Sequence, residues 1–202
     1  MISRGGLYVV SGPSGVGKGT VCAEVSAQNP NIFLSVSATS RSPRRGEVDG
    51  VHYYFKTKQQ FEEMIENDEF LEYAEYLGNY YGTPKAPCLE QMEKGNDVIL
   101  EIEVQGGSMV KKKSPGAILI FVAPPTIDSL TERLAGRGTD SYEEIKQRVL
   151  RAREELAFIG RYDYIVINDT VQNAVDAIKS ILTARHYTNK NMLDIVVNEL
   201  EL

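Results

Sequence analysis

The segment that most narrows what this chain can become is Gly12-Pro13-Ser14-Gly15-Val16-Gly17-Lys18. It stands directly behind the apolar run Leu7-Tyr8-Val9-Val10 and opens a helical pattern over 17–28. Strand, glycine-rich turn and helix is the setting in which G-x-x-x-x-G-K binds phosphate. Glycines let successive backbone N–H groups turn inward as an anion nest, and the helix N-terminus adds partial positive charge. The lysine reaches the β- and γ-phosphates of a nucleoside triphosphate. Where the strict pattern has Ser or Thr after the lysine, Gly19 stands here, with Thr20 one place later. That removes the usual hydroxyl ligand for Mg²⁺, so the expectation is a metal held by water and phosphate oxygens, with no direct side-chain ligand, and Thr20 near the α-phosphate. The motif says nothing of what receives the phosphate.

Strand-like runs fall at 32–37, 51–56, 98–104, 117–123 and 164–168. Helical spacing appears around Phe61, Met64 and Ile65, and over 88–94, 127–135, 142–158 and 171–187. Strands alternating with helices imply an α/β fold around a mostly parallel sheet. The stretch 39–50 is polar and arginine-rich, hence a loop, and Phe70 to Tyr81 is an aromatic-rich passage without a clear period. With 202 residues the chain is one generous domain rather than two.

The longest apolar run, 117–125, is strand-sized and far short of the roughly 20 residues of a membrane span. The first residues lead straight into the first strand with no room for a signal peptide, so a cytoplasmic protein is expected. The net charge of −6 argues against a nucleic-acid coat. It leaves open a small polyanion, which local charge decides. Cys22 and Cys88 have no metal-spaced companions and are too few for a disulfide framework. In the tail 188–202, Met192, Ile195 and Val196 are spaced as for a short helix, with no role assigned.

The acceptor of the phosphate is sought among three groups. Arg41, Arg44 and Arg45 lie within five positions of the polar loop, and Arg41 and Arg44 suit a bidentate phosphate clamp. By charge pattern alone the same loop reads equally as a solvated basic one. Tyr53 and Tyr81 carry hydroxyls able to donate to phosphate, although tyrosines at strand spacing also pack. Glu72 and Glu103 are acids set among apolar neighbours, costly to bury without donors. Guanine offers two such donors, N1–H and N2–H₂, whereas adenine places an acceptor at N1, so a fixed carboxylate selects guanine. Either acid could instead be a solvated strand-face residue.

Taken in order, these stretches resemble the guanylate kinases over residues 4–187. The resemblance rests on Ser11 to Lys18; Ser35-Val36-Ser37-Ala38-Thr39-Ser40-Arg41-Ser42-Pro43-Arg44; Gly46-Glu47 through Gly50 to Tyr53 and Phe55; Gly78-Asn79-Tyr80-Tyr81-Gly82-Thr83; Glu101-Ile102-Glu103-Val104-Gln105-Gly106; and Arg133-Leu134 with Gly136-Arg137-Gly138-Thr139. It implies a P-loop kinase core, an inserted small α+β region for the nucleoside monophosphate, and a helical lid. The core would be 1–36, 88–130 and 160–187, the GMP-binding region 37–87, the lid 131–159 and the tail 188–202.

The resemblance further implies ATP-dependent phosphorylation of GMP and dGMP with Mg²⁺, by a monomer or homodimer that binds neither nucleic acid nor membrane. Arg41, Arg44, Tyr53 and Tyr81 would hold the GMP phosphate. Glu72 and Glu103 would accept from the base, with Ser37 and Thr83 near O6. Lys18 and the loop from Gly12 to Thr20 would hold ATP, Asn168 would lie near its adenine, and Arg133, Arg137 and Arg148 would be lid arginines around the transferred group. Many relatives carry Asp where Glu103 stands. Two other readings compete with this one. A kinase of another small metabolite (adenylate, shikimate or ribose bisphosphate) has no use for a guanine-reading acid. A peptide-binding guanylate-kinase-like scaffold usually has a degraded phosphate loop, which is intact here.

Overall fold

The computed structural model describes residues 4–136, 141–188 and 192–193. Its centre is Leu7–Ser11 (β1), buried at every position, as a strand covered on both faces must be. Lys18–Ala27 (α1) leads to Ile32–Leu34 (β2), and Asp97–Glu101 (β7), Ile118–Ala123 (β8) and Tyr164–Ile167 (β9) complete a parallel sheet in the order β2-β7-β1-β8-β9, numbered by place in the chain. One face packs on α1 and on Val171–His186 (α7), through Val21, Val25, Val175 and Ile178. The other is covered through Val104 and Val110 of Val104–Lys113 (α4) and by Cys88 of Lys85–Glu93 (α3). Ile127–Ala135 (α5) and Tyr142–Leu156 (α6) follow β8 on the first face.

Between β2 and α3 the chain builds a second sheet from Ala38–Thr39 (β3), Tyr54–Phe55 (β4), Phe70–Tyr76 (β5) and Asn79–Pro84 (β6), in the order β4-β3-β6-β5. It is mixed: β3 and β4 run parallel, the other neighbours antiparallel. Lys58–Glu66 (α2), opened by a Thr57–Gln60 capping box, packs Phe61 against Phe70 at 4.4 Å and Tyr80 at 5.3 Å.

Several expected elements differ. The run 51–56 contributes only Tyr54–Phe55, because Val51 and His52 both donate to Val48 O and the preceding residues form a turn. The run 32–37 ends at Leu34, where the chain leaves β7 for the second sheet. The run 98–104 splits: β7 stops at Glu101, and Glu103 is the N-cap of α4, a helix the periodicity did not reveal. The helix expected over 88–94 starts three residues earlier, with Pro87 in its first turn, where a missing N–H costs nothing. The aromatic passage is a hairpin turned by Leu77 and Gly78, both at positive φ. Both cysteines are buried free thiols, Cys88 pushed up to about 12 by burial.

Asp97 fastens the ends of the core. Its Oδ1 accepts from Gly6 N at 2.7 Å, just before β1, and its Oδ2 lies 2.8 Å from His186 Nε2 at the end of α7. With Asp97 only 6 % exposed, Asp97→Ala leaves the Gly6 N–H unpaired and is expected to lower stability by about 1–3 kcal/mol. Chemical denaturation measures this, and an unchanged midpoint would refute the tie.

Candidate functional site

The glycine-rich loop is held by its carbonyls. Gly12, at φ 151, lies so close to β8 that a Cβ would sit 2.1 Å from Val122 O, so no other residue fits. Lys18 Nζ donates to Gly12 O at 2.5 Å and Pro13 O at 3.3 Å. Val16 O accepts from Asn168 Nδ2 at 2.7 Å and from Arg133 Nη1 at 3.2 Å. Ser14 Oγ accepts from Arg148 Nη2 at 2.8 Å.

A cleft of about 920 Å³ opens beside this loop. Gly15, Gly17, Lys18, Gly19 and Thr20 line one side, Ser37, Tyr53, Glu72 and Tyr81 the other, and Glu101 and Glu103 lie between. It begins where β1 and β7 end, the usual ligand crevice of an open parallel sheet.

Glu72 is 6 % exposed. A register shift between Phe70 and Glu72 turns three successive residues of β5 inward and pairs Glu72 with Thr83 across the hairpin. Thr83 Oγ1 donates to Glu72 Oε1 at 2.7 Å. The second oxygen rests against α4, where a Cβ on Gly106 would lie 2.8 Å from Oε2. Burial pushes this carboxyl above the usual range, and the hydroxyl and N–H of Thr83 pull it back. Thr83 is fully buried, is not among the residues lining the cleft and braces Glu72 through its hydroxyl. Glu103 is exposed at the head of α4 and lines the cleft.

Tyr53 and Tyr81 meet edge-on at 6.1 Å, and the Arg41 guanidinium lies 5.5 Å from the Tyr53 ring centre. Arg41 is bound by Glu47 through both terminal nitrogens, at 3.0 and 2.9 Å. Neither Arg41 nor Arg44 is among the cleft-lining residues; Arg41 adjoins the cleft through Tyr53, while the Arg44 side chain is exposed and its backbone N–H donates to Glu47 at 2.6 Å. His52 Nδ1 accepts from Val48 N, a local turn contact.

Of the three arginines expected around the donor, Arg133 and Arg148 reach the loop, and Arg137 lies outside the described residues. Asn168 is 3 % exposed, and its Oδ1 has no partner among the described residues. Arg151, Glu155 and Glu101 line the cleft as well, beyond the expected site residues. Arg151 stands 5.4 Å from the Tyr76 ring centre and 3.4 Å from Glu155. Glu155 is 4 % exposed, and burial raises its carboxyl. The spacing 148, 151 and 155 on one helix face was the available signal. Glu101 faces Gly19, where a Cβ would stand 3.4 Å from its Oε2; surrounding protein pushes its carboxyl up and Lys18 pulls it down.

The guanylate kinase family model matches residues 4–185. A guanylate kinase of Carboxydothermus hydrogenoformans is 52% identical over 189 residues, 94% of this chain and 93% of that protein. One of Streptococcus thermophilus is 54% identical over 188 residues, covering 93% and 90%. The crystal structure of a guanylate kinase from Anaplasma phagocytophilum superposes with a TM-score of 0.77 at 30% identity, covering 96% of this chain and 94% of that one.

The Gly106–Glu72 contact is testable without any ligand. Gly106→Ala forces the methyl into the carboxylate and is expected to cost about 1–3 kcal/mol. In Gly106→Ala/Glu72→Ala most of that penalty should vanish, since the clashing atoms are gone. Additive losses in the double-mutant cycle would show that the two positions do not touch.

Proposed function

The chain belongs to the guanylate kinase family, and we infer from the cleft how it performs that family's reaction: it transfers the γ-phosphoryl group of ATP to GMP, giving ADP and GDP. We propose dGMP as a second acceptor. The observation that carries the reading is one cleft holding a phosphate loop on one side and a buried, Thr83-braced carboxylate on the other. Glu72 accepts from guanine N1–H and N2–H₂. Adenine would set an acceptor against it and leave a buried charge mispaired.

On this reading Lys18 leaves its resting bonds to Gly12 O and Pro13 O to meet the β- and γ-phosphates. Arg133, Arg137 and Arg148 surround the transferred group with positive charge. Arg41, Arg44, Tyr53 and Tyr81 take the GMP phosphate, Ser37 lies near the base, and Glu103 is a second acid at its edge. Thr83 acts through Glu72. Asn168 holds the loop at Val16 beside the adenine of ATP. The attacking phosphate oxygen is already anionic, so no protein base is needed. Mg²⁺ bound with ATP would supply charge neutralisation to the phosphates. We propose that phosphate oxygens and water hold it, with Glu101, which faces Gly19, as the nearby acid. No described helix is long and apolar enough to cross a membrane. We propose a cytoplasmic monomer or homodimer, which sedimentation would distinguish.

ADP release measured with ATP and GMP, dGMP, AMP, CMP or UMP tests the reading. Turnover is expected with GMP and dGMP only. No GMP-dependent turnover would overturn the function, and equal rates with AMP would remove the role of Glu72. Lys18→Ala should lower turnover by orders of magnitude and leave GMP affinity intact; loss of GMP binding would mean the two subsites are wrongly divided.

A pH profile adds an independent check. Protonated Glu72 cannot accept both guanine donors, and its carboxyl sits above the usual range. Guanosine binding, free of any titrating phosphate, should therefore weaken as pH falls, beginning at a higher pH than an ordinary carboxylate would give. A profile that is unchanged in Glu72→Gln would count against this role.

A further inference from the structure

The loop that carries Arg41 and Arg44 is organised around an acid to which no role has been given. The five donor hydrogens of an arginine are few enough to follow one by one. One Nη1 hydrogen of Arg41 goes to Ser42 O at 2.7 Å and the other to Glu47 Oε2 at 3.0 Å. One Nη2 hydrogen goes to Glu47 Oε1 at 2.9 Å. Glu47 therefore grips the end of the guanidinium, through Nη1 and Nη2 together. The other two donors, the Nε–H and the second Nη2 hydrogen, point the same way along the side of the group, where the Tyr81 hydroxyl meets the guanidinium. Those two donors form the other bidentate fork an arginine can offer an oxyanion.

Three contacts fix where that side-on fork lies. The Tyr53 and Phe55 rings stand 5.5 and 5.9 Å from the Arg41 guanidinium carbon. The Tyr81 hydroxyl lies within hydrogen-bonding reach of the same group. Tyr53 and Tyr81 both line the cleft. The Arg44 N–H closes on Glu47 Oε2 at 2.6 Å, so one carboxylate holds both arginine positions of the loop together. The two side chains of the pair are only 15 % and 18 % exposed.

We propose that Glu47 is a positioning residue for the acceptor phosphate: by closing the end-on fork of Arg41 it presents the side-on fork, together with Tyr53 and Tyr81, to the phosphate of GMP. This rests on the guanylate kinase reading. The geometry distinguishes it from an internal anion that merely occupies the phosphate's place. A displaced stand-in would have to leave before GMP could bind, whereas Glu47 leaves the side-on donors of Arg41 to the Tyr81 hydroxyl and to an incoming oxyanion. The carboxylate is held down to about 2 by Arg41 and the Arg44 N–H. Its contribution is thus present above the ordinary carboxylate range and is lost only as pH falls through about 2. Acid titration cannot isolate it, and the amide variant is the appropriate probe.

Calorimetric titration of wild type, Glu47→Gln and Glu47→Asp with GMP and with guanosine tests the assignment. In Glu47→Gln the amide NH₂ faces an arginine donor and the end-on fork is lost. GMP affinity is expected to fall about tenfold or more, with guanosine affinity unchanged, and KM for GMP to rise more than kcat falls. Glu47→Asp keeps the charge with shorter reach and should lie between. Combined with Arg41→Ala, Glu47→Gln should cost nothing further, since it acts through that arginine. Unchanged or tighter GMP binding in Glu47→Gln would overturn the proposal, as would an equal loss for guanosine, which would indicate a general disturbance of the region. Failure of wild type to turn over GMP would instead refute the parent reading.

Discussion

A loop that offers its N–H groups to an anion turns its carbonyls the other way, and those carbonyls need donors of their own. Here the constraint is met from across the chain. Gly12 O and Pro13 O are taken by Lys18 within the loop, and Val16 O by Asn168 beyond β9 and by Arg133 on α5. The loop is thus joined to the far half of the sheet and to the helices over it. Residues expected to touch nucleotide are the same ones that hold the loop in shape. Binding and loop stability cannot be separated at Asn168 or Arg133, whereas Lys18 spends its bonds only on its own segment.

The parts of this architecture that depend on near neighbours were legible from the residues. The phosphate loop is strand, turn and helix in succession, and β1, α1, α5 and α7 follow from apolar periodicity. The helix α4 was not legible, for a physical reason. Its sequence VQGGSMVKKK has adjacent glycines that each cost about 1 kcal/mol in a helix interior. One of them, Gly106, is there to make room for Glu72, a residue 34 positions earlier. Local propensity was given up for a contact that no window of sequence contains.

The hairpin was hidden in a similar way. The shift at Phe70/Glu72 breaks the alternation of β5, and Leu77 occupies a positive-φ position normally marked by Asn or Gly. At the site, the arginine loop and Glu72, the acid proposed to read guanine, were visible as residue types. That Thr83 serves Glu72 was not, because it follows from a register. Arg151 and Glu155 are readable on the face of α6 from their spacing with Arg148. The net charge of −6 concealed a local balance: Glu72, Glu101 and Glu155 are all pushed up by burial around a cleft that also gathers Lys18 and Arg151.

Asp97 has a topological consequence. By meeting Gly6 on one side and His186 on the other, it brings the start of β1 and the end of α7 to one point at the base of the sheet. The core is in that sense a ring closed by a carboxylate. The second sheet leaves the ring after β2 and rejoins it at α3, so it is an excursion with both feet on the same body. A chain joined directly between these ends and opened at the exposed Leu77-Gly78 turn would preserve every strand neighbour of the main sheet. The order in which the segments are synthesised is therefore separable from the shape they make.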